Sequence, residues 1–176
     1  MLFPGLRLGY VVLPDALVDA FAAARSITSR SPPAVSQALV CDFLTTGHFG
    51  RHIRRMRQLY GERLAALVEA SERRLGGLLE LSRPEAGLQT VGRLAPGLDE
   101  EAATAAAEAH GVEVFPVSRF ALEHRPAPSL LLGFAAVGPD EIRRGVDALA
   151  RALEGLIADR AGSPHARGIR ALCGKA

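Results

Sequence analysis

Apolar and polar positions along the chain change period several times, and each change predicts an element. Leu2 to Leu13 is nearly continuous apolar sequence behind a Pro4-Gly5 pair, with Tyr10, Val11 and Val12 before Pro14. That run reads as a turn followed by a strand covered on both faces. Asp15 is a candidate N-cap for a helix to about Ala24, with Leu17, Val18, Phe21 and Ala24 on one side. A Ser/Thr/Pro-rich stretch from Ser26 to Pro33 interrupts the pattern. A second helix is predicted from Ala34 to Thr46, ended by Gly47. A third runs from Phe49 to Leu75, where Phe49, Ile53, Met56, Tyr60, Leu64 and Leu67 recur at three- and four-residue steps.

After Gly76-Gly77 the period shortens. Strands are predicted at Leu78 to Ser82, Leu88 to Leu94, Val112 to Pro116 and Leu130 to Ala136. Among them lies an alanine-rich helix, Asp99 to His110, with Asp99, Glu100 and Glu101 at its positive end. A last helix starts near Pro139 and carries Ile142, Val146, Leu149, Leu153 and Leu156 on one face. The first strand needs partners on its edges that neither its neighbours nor the later lobe can supply, so it reads as torn from a larger sheet.

Composition sharpens this picture. The chain has 176 residues, 48% of them hydrophobic, enough for one compact domain or two small lobes. No run approaches the roughly 18 apolar residues of a membrane span, and no signal-peptide pattern opens the chain, so no membrane partner and a cytoplasmic location are expected. Cys41 and Cys173 lack the spacing of a zinc site or a disulfide framework. A net charge of +2 does not by itself argue for nucleic acid. The only lysine is Lys175, near the C-terminus in a Gly- and Arg-containing stretch that reads as a loose tail. Chemistry that requires an internal lysine is therefore absent.

The stretch Leu2-Phe3-Pro4-Gly5-Leu6-Arg7-Leu8-Gly9-Tyr10 resembles the segment that follows the cofactor lysine in fold-type-I aminotransferases. The similarity continues through Gly47-His48-Phe49, Arg51 to Arg63, Ala86-Gly87-Leu88, Gly111 to Pro116 and Leu130 to Ala135. Together these pieces resemble the MocR branch of GntR-type regulators, in which a winged helix-turn-helix domain is fused to an aminotransferase-like domain. The resemblance implies an α/β fold: the C-terminal half of the fold-type-I pyridoxal-phosphate transferase fold. Residues 1–48 would be a remnant of the large domain, 49–77 a long interdomain helix, 78–160 a small α/β domain and 161–176 a tail.

The same resemblance assigns candidate chemistry. Arg7 would grip the phosphate of pyridoxal 5'-phosphate, a role suited to a rigid, permanently charged guanidinium fork. In the family pattern the Schiff-base lysine stands seven residues before that arginine, a position directly before Met1. No catalytic residue is therefore assigned within the chain, because a Schiff base needs a primary amine. Many aminotransferases resemble Arg-Leu-Asn-Phe where this chain reads Leu131-Leu132-Gly133-Phe134. Leu131 replaces the arginine that holds the substrate carboxylate, which leaves no assigned substrate residue and favours a regulator.

Other groupings read as bland. Arg51, Arg54, Arg55, Arg57 and Arg63 form one dense basic cluster that could read as a nucleic-acid contact helix, but they decorate the face away from the apolar stripe, and a solvated or ion-paired surface is the expected reading. His48 and His52 could share a face, but the arginines around them would repel a metal ion. Tyr10 and Tyr60 read as packing residues. Ser118, Arg119 and His124 suggest no triad, and Arg125 is a candidate for approaching a ligand carboxylate. The implied function is a truncated effector domain that dimerises, senses pyridoxal phosphate or a small amino compound, and reaches DNA only through an N-terminal domain. A fragment of a genuine aminotransferase and a ligand-free dimerisation lobe are the alternatives.

Overall fold

The computed structural model describes residues 4–6, 8–28, 33–84, 87–123 and 126–162. The chain divides into two compact units, Met1–Gln58 and Leu59–Ala176, with the division inside one long helix.

The first unit is helical. A 3-10 turn, Pro4–Leu6, precedes residues 8–14, which carry no regular secondary structure. The predicted strand is thus not formed in the described residues. Tyr10 is 94% exposed and Val12 85% exposed, so neither the doubly covered strand nor the packing role of Tyr10 holds. The physical reason is that a strand exists through its ladder, and β-branched sequence without a paired neighbour gains nothing from extension.

Helix α1 spans Asp15–Thr28. Asp15 stands inside its first turn rather than at the cap, placing a carboxylate against the positive end. The helix continues past its expected end at Ala24 to Thr28, and Ser26 and Thr28 turn their hydroxyls back onto the carbonyls of Ala23 and Ala24, at 2.7 and 3.0 Å. Helix α2, Ala34–Thr45, ends where Thr46 donates both its amide and its hydroxyl to the Asp42 carbonyl. Gly47 follows at φ 78°, a left-handed conformation that lets helix α3 start at His48. Phe43 stacks on His48 and meets Phe49 and His52 edge-on, with ring centroids 6.2 to 6.3 Å apart. No residue of α1 or α2 is buried.

The second unit holds the core. Helix α3 ends at Arg74, and Gly77, at φ 78°, turns the chain into strand β1, Leu79–Leu81. Strand β2 is Gln89–Leu94, helix α4 Glu100–Ala109, β3 Phe115–Pro116, β4 Ser129–Gly133 and helix α5 Pro139–Gly162. All pairings are antiparallel, in the order β1-β2-β4-β3. Strand β3 is shorter than the expected Val112 to Pro116, since only Phe115 and Pro116 pair with β4 and the Val112 amide is bound to the Ala107 carbonyl at the end of α4. Strand β4 stops at Gly133 rather than Ala136, and the Phe134 amide turns to the Leu88 carbonyl instead.

Leu75, Leu130, Leu149, Leu153 and Phe134 are the largest fully buried side chains. The α5 stripe of Ile142, Val146, Leu149 and Leu153 joins the core as its period predicts, and Ala103 and Ala107 of α4 are buried completely, keeping that helix thin where it packs on α5. Asp99 caps α4 by accepting the amides of Glu101 and Ala102 at 3.1 and 2.9 Å. Gly92 is required on β2 because the Leu79 side chain occupies the space a Cβ would need. No described helix is long and apolar enough to cross a membrane.

Candidate functional site

Arg7, the phosphate-binding candidate, lies outside the described residues, as do His124, Arg125, Cys173 and Lys175. Leu6, Leu8 and Leu13 are half-buried, whereas Gly9, Tyr10, Val11 and Val12 are exposed, and nothing lies within 4 Å of where a Cβ would stand on Gly5 or Gly9. The donor chemistry of an arginine fits a phosphate.

Leu131 is placed directly. It is the middle residue of β4, half-buried, with Val91 of β2 opposite it on one side and Phe115 of β3 on the other. Both cross-strand neighbours are apolar, so this position offers a carboxylate neither charge nor a hydrogen-bond donor side chain. The nearest cation on β3 or its 3-10 continuation is Arg119, whose guanidinium lies 5.6 Å from the centroid of the Phe115 ring.

The remaining arginines divide sharply. Arg63, read from the sequence as part of a solvated face, is half-buried and donates from Nη1 to the Ala135 carbonyl just beyond β4. Its Nε is buried with no partner among the described residues. The signal for this was its place four residues before buried Leu67, at the edge of the apolar stripe. Arg51, Arg54, Arg55 and Arg57 are exposed as expected, but none has an ion pair or hydrogen bond among the described residues. His48 and His52 are engaged with Phe43, and no group of three metal-ligating side chains occurs among the described residues. Tyr60 packs against the core as its stripe position predicts.

An open cleft of about 840 Å³ lies in the second unit, between the end of α3 and the β1–β2 end of the sheet. Ser71, Leu79, Arg93, Pro96 and Pro128 are among its walls, and an Arg83–Glu72 ion pair of 2.9 Å stands on it. Ser71 is 5% exposed and its Oγ has no partner among the described residues. Leu131 does not line this cleft. No base stands in hydrogen-bonding contact with the serine, so the arrangement does not make a nucleophile.

The model of the family described as aminotransferase class I and II matches residues 1–149. The chain belongs to this family. It is 37% identical over 148 residues to the probable rhizopine catabolism regulatory protein MocR of Rhizobium meliloti, a match that takes in 84% of this chain and 30% of that protein. An uncharacterized HTH-type transcriptional regulator of Bacillus subtilis is 36% identical over 89% of this chain and 33% of its own length. Among solved structures, an α-aminoadipate aminotransferase from Thermus thermophilus, complexed with N-(5'-phosphopyridoxyl)-L-leucine, superimposes with a TM-score of 0.76 at 30% identity, covering 88% of this chain and 40% of that one. The chain thus has the fold-type-I aminotransferase architecture over most of its length, and spans about a third of the curated regulators it matches.

Proposed function

We propose that these residues form part of the effector-sensing, aminotransferase-like domain of a MocR-type transcriptional regulator, and that the domain binds pyridoxal phosphate without transaminating. The observation that carries this reading is the apolar site at Leu131. Where the enzymes' pattern places a carboxylate-binding arginine, strand β4 presents a leucine between Val91 and Phe115. A transaminase must fix its amino-acid substrate by the carboxylate, and a leucine supplies no such contact. The regulators among the relatives, at 36% and 37% identity, support the same reading.

Within this chain Arg7 would bind the cofactor phosphate through paired charge-assisted hydrogen bonds. When bound, the cofactor supplies an aldehyde that captures amines, and capture of a small amino compound would be the sensed event. Covalent capture by the protein itself requires a lysine, and the chain's one lysine is Lys175. Catalytic turnover by these residues alone is therefore not expected. Domains follow the same proposal: 1–48 belongs to the large lobe, 49–77 is the linking helix, 78–160 is the small lobe and 161–176 a tail, with two copies pairing in the cytoplasm.

A second reading, part of a genuine aminotransferase, is favoured by the Thermus thermophilus enzyme's structural likeness. The coding sequence upstream of the Met1 codon separates them. A winged-helix pattern followed by the remainder of an aminotransferase domain supports the regulator, and an aminotransferase domain without any DNA-binding domain supports the enzyme.

A further inference from the structure

Helix α3 distributes its charge in an unusual way. Between Asp42 and Glu62 there is no acidic residue, while Arg51, Arg54, Arg55 and Arg57 fall within that interval. None of the four therefore has a carboxylate three or four residues away on its own helix. They are instead like-charge neighbours at those spacings: Arg51 with Arg54 and Arg55, and Arg54 with Arg57. Arg51 also lies in the first turn of a helix that starts at His48, where the backbone dipole already disfavours a cation. Arg73, Arg74, Arg83 and Arg143 are matched, with Glu69, Asp147, Glu72 and Asp140 at 2.7 to 3.6 Å, whereas exposed arginines such as Arg93, Arg144 and Arg151 stand singly without an ion pair among the described residues, not as a cluster. The four on the first half of α3 are exposed and have no partner among the described residues.

At 3.6 residues per turn, Arg51, Arg54 and Arg55 share an arc of about 100°, opposite the stripe of Phe49, Ile53 and Met56. From Arg51 to Arg57 the axial distance is about 9 Å, a length over which duplex DNA carries about five phosphate charges. We propose that this arginine stripe binds the phosphate backbone of a nucleic-acid duplex, as a second, sequence-independent contact supplied by the aminotransferase-like domain itself. Guanidinium forks suit paired phosphate oxygens, and with no partner among the described residues all four can release counterions. A membrane surface suits the stripe less well. Lipid-binding helices expose an apolar face beside the basic one, and the apolar residues of this half of α3 are half-buried.

The choice of DNA as the polyanion rests on the regulator reading, but its test does not. The full 176-residue chain is titrated against a labelled mixed-sequence duplex of about 20 base pairs, by fluorescence anisotropy at 50 and 200 mM salt. The R51Q/R54Q/R55Q/R57Q variant is expected to bind at least about tenfold more weakly at the lower salt, with the slope of log affinity against log salt reduced by about 3. A control that removes four paired arginines, R73Q/R74Q/R83Q/R143Q, is expected to stay within about twofold of the parent. Single R51Q and R54Q variants, each lowering the slope by about 1, give the same readout should the quadruple variant lose helical circular dichroism. Failure of the parent chain to bind overturns the proposal, as does equal loss in the control, or stronger binding to phosphatidylserine vesicles than to the duplex. Duplex binding together with an upstream sequence lacking a winged helix would instead retain this inference and defeat the regulator reading.

Discussion

The two units of the chain contain similar apolar patterns and use them differently. In the second, α5 places Leu149 and Leu153 in a core with Leu75, Leu130 and Phe134, and each is shielded from water. In the first, α1 carries a comparable stripe and α2 is apolar without a regular one, yet Leu17, Val18, Phe21, Val35 and Leu39 are between 44% and 72% exposed. The difference teaches that amphipathic period specifies which side of a helix can be buried, whereas burial itself requires an opposing surface. Small side chains supply part of that surface in the second unit: Ala103, Ala107 and Ala150 are fully buried and let α4 and α5 approach closely.

The contrast can be broken by mutation, and the largest effect belongs to the core. Leu153→Ala, at a fully buried site, should destabilise the second unit by about 2 to 5 kcal/mol in urea denaturation, from lost transfer energy plus the cavity left behind. Gly92→Ala comes next. The new methyl must displace the Leu79 side chain across the β1–β2 pair, so a cost of about 1 to 3 kcal/mol is expected by the same assay. The smallest effect is Leu39→Ala, where a side chain 57% exposed should change stability by no more than about 0.5 kcal/mol. A Leu39→Ala cost equal to that of Leu153→Ala would show that the first unit has a core of its own and remove the distinction.

The same contrast explains which parts of the fold could be read from residues alone. The five helices were legible because their stripes, glycine stops and the Asp99 cap are local features, repeated over many residues. The end of α1 lay beyond the expected Ala24, inside the Ser/Thr-containing stretch where composition suggested a break. The strand expected before Pro14 was not legible, because β-branched composition gives no information about whether a neighbouring strand is present. Strand β3 contracted to two residues for a related reason, since pairing with β4 and not apolar content determines its length.

The candidate site was legible to a smaller degree. The role proposed for Arg7 came from its surrounding motif and from guanidinium chemistry, not from any local period. Leu131 was recognisable as an apolar replacement, and the structure adds that its cross-strand neighbours, Val91 and Phe115, are apolar too. Arg63 was misassigned because charge patterning alone does not distinguish an arginine at the border of a buried stripe from one in open solvent. Its contact with the Ala135 carbonyl lies 72 residues away in sequence, beyond the reach of any local rule.

The central claim, that this is a pyridoxal-phosphate-binding sensor domain held to its cofactor through Arg7, is tested most directly by comparing pyridoxal phosphate with pyridoxal in an equilibrium binding titration of the parent chain and Arg7→Ala. The account predicts that the parent prefers the phosphorylated form and that Arg7→Ala removes this preference by about tenfold or more, as expected for losing hydrogen bonds to a charged group. Equal binding of the two ligands by the parent, or a phosphate preference that survives Arg7→Ala, would contradict it.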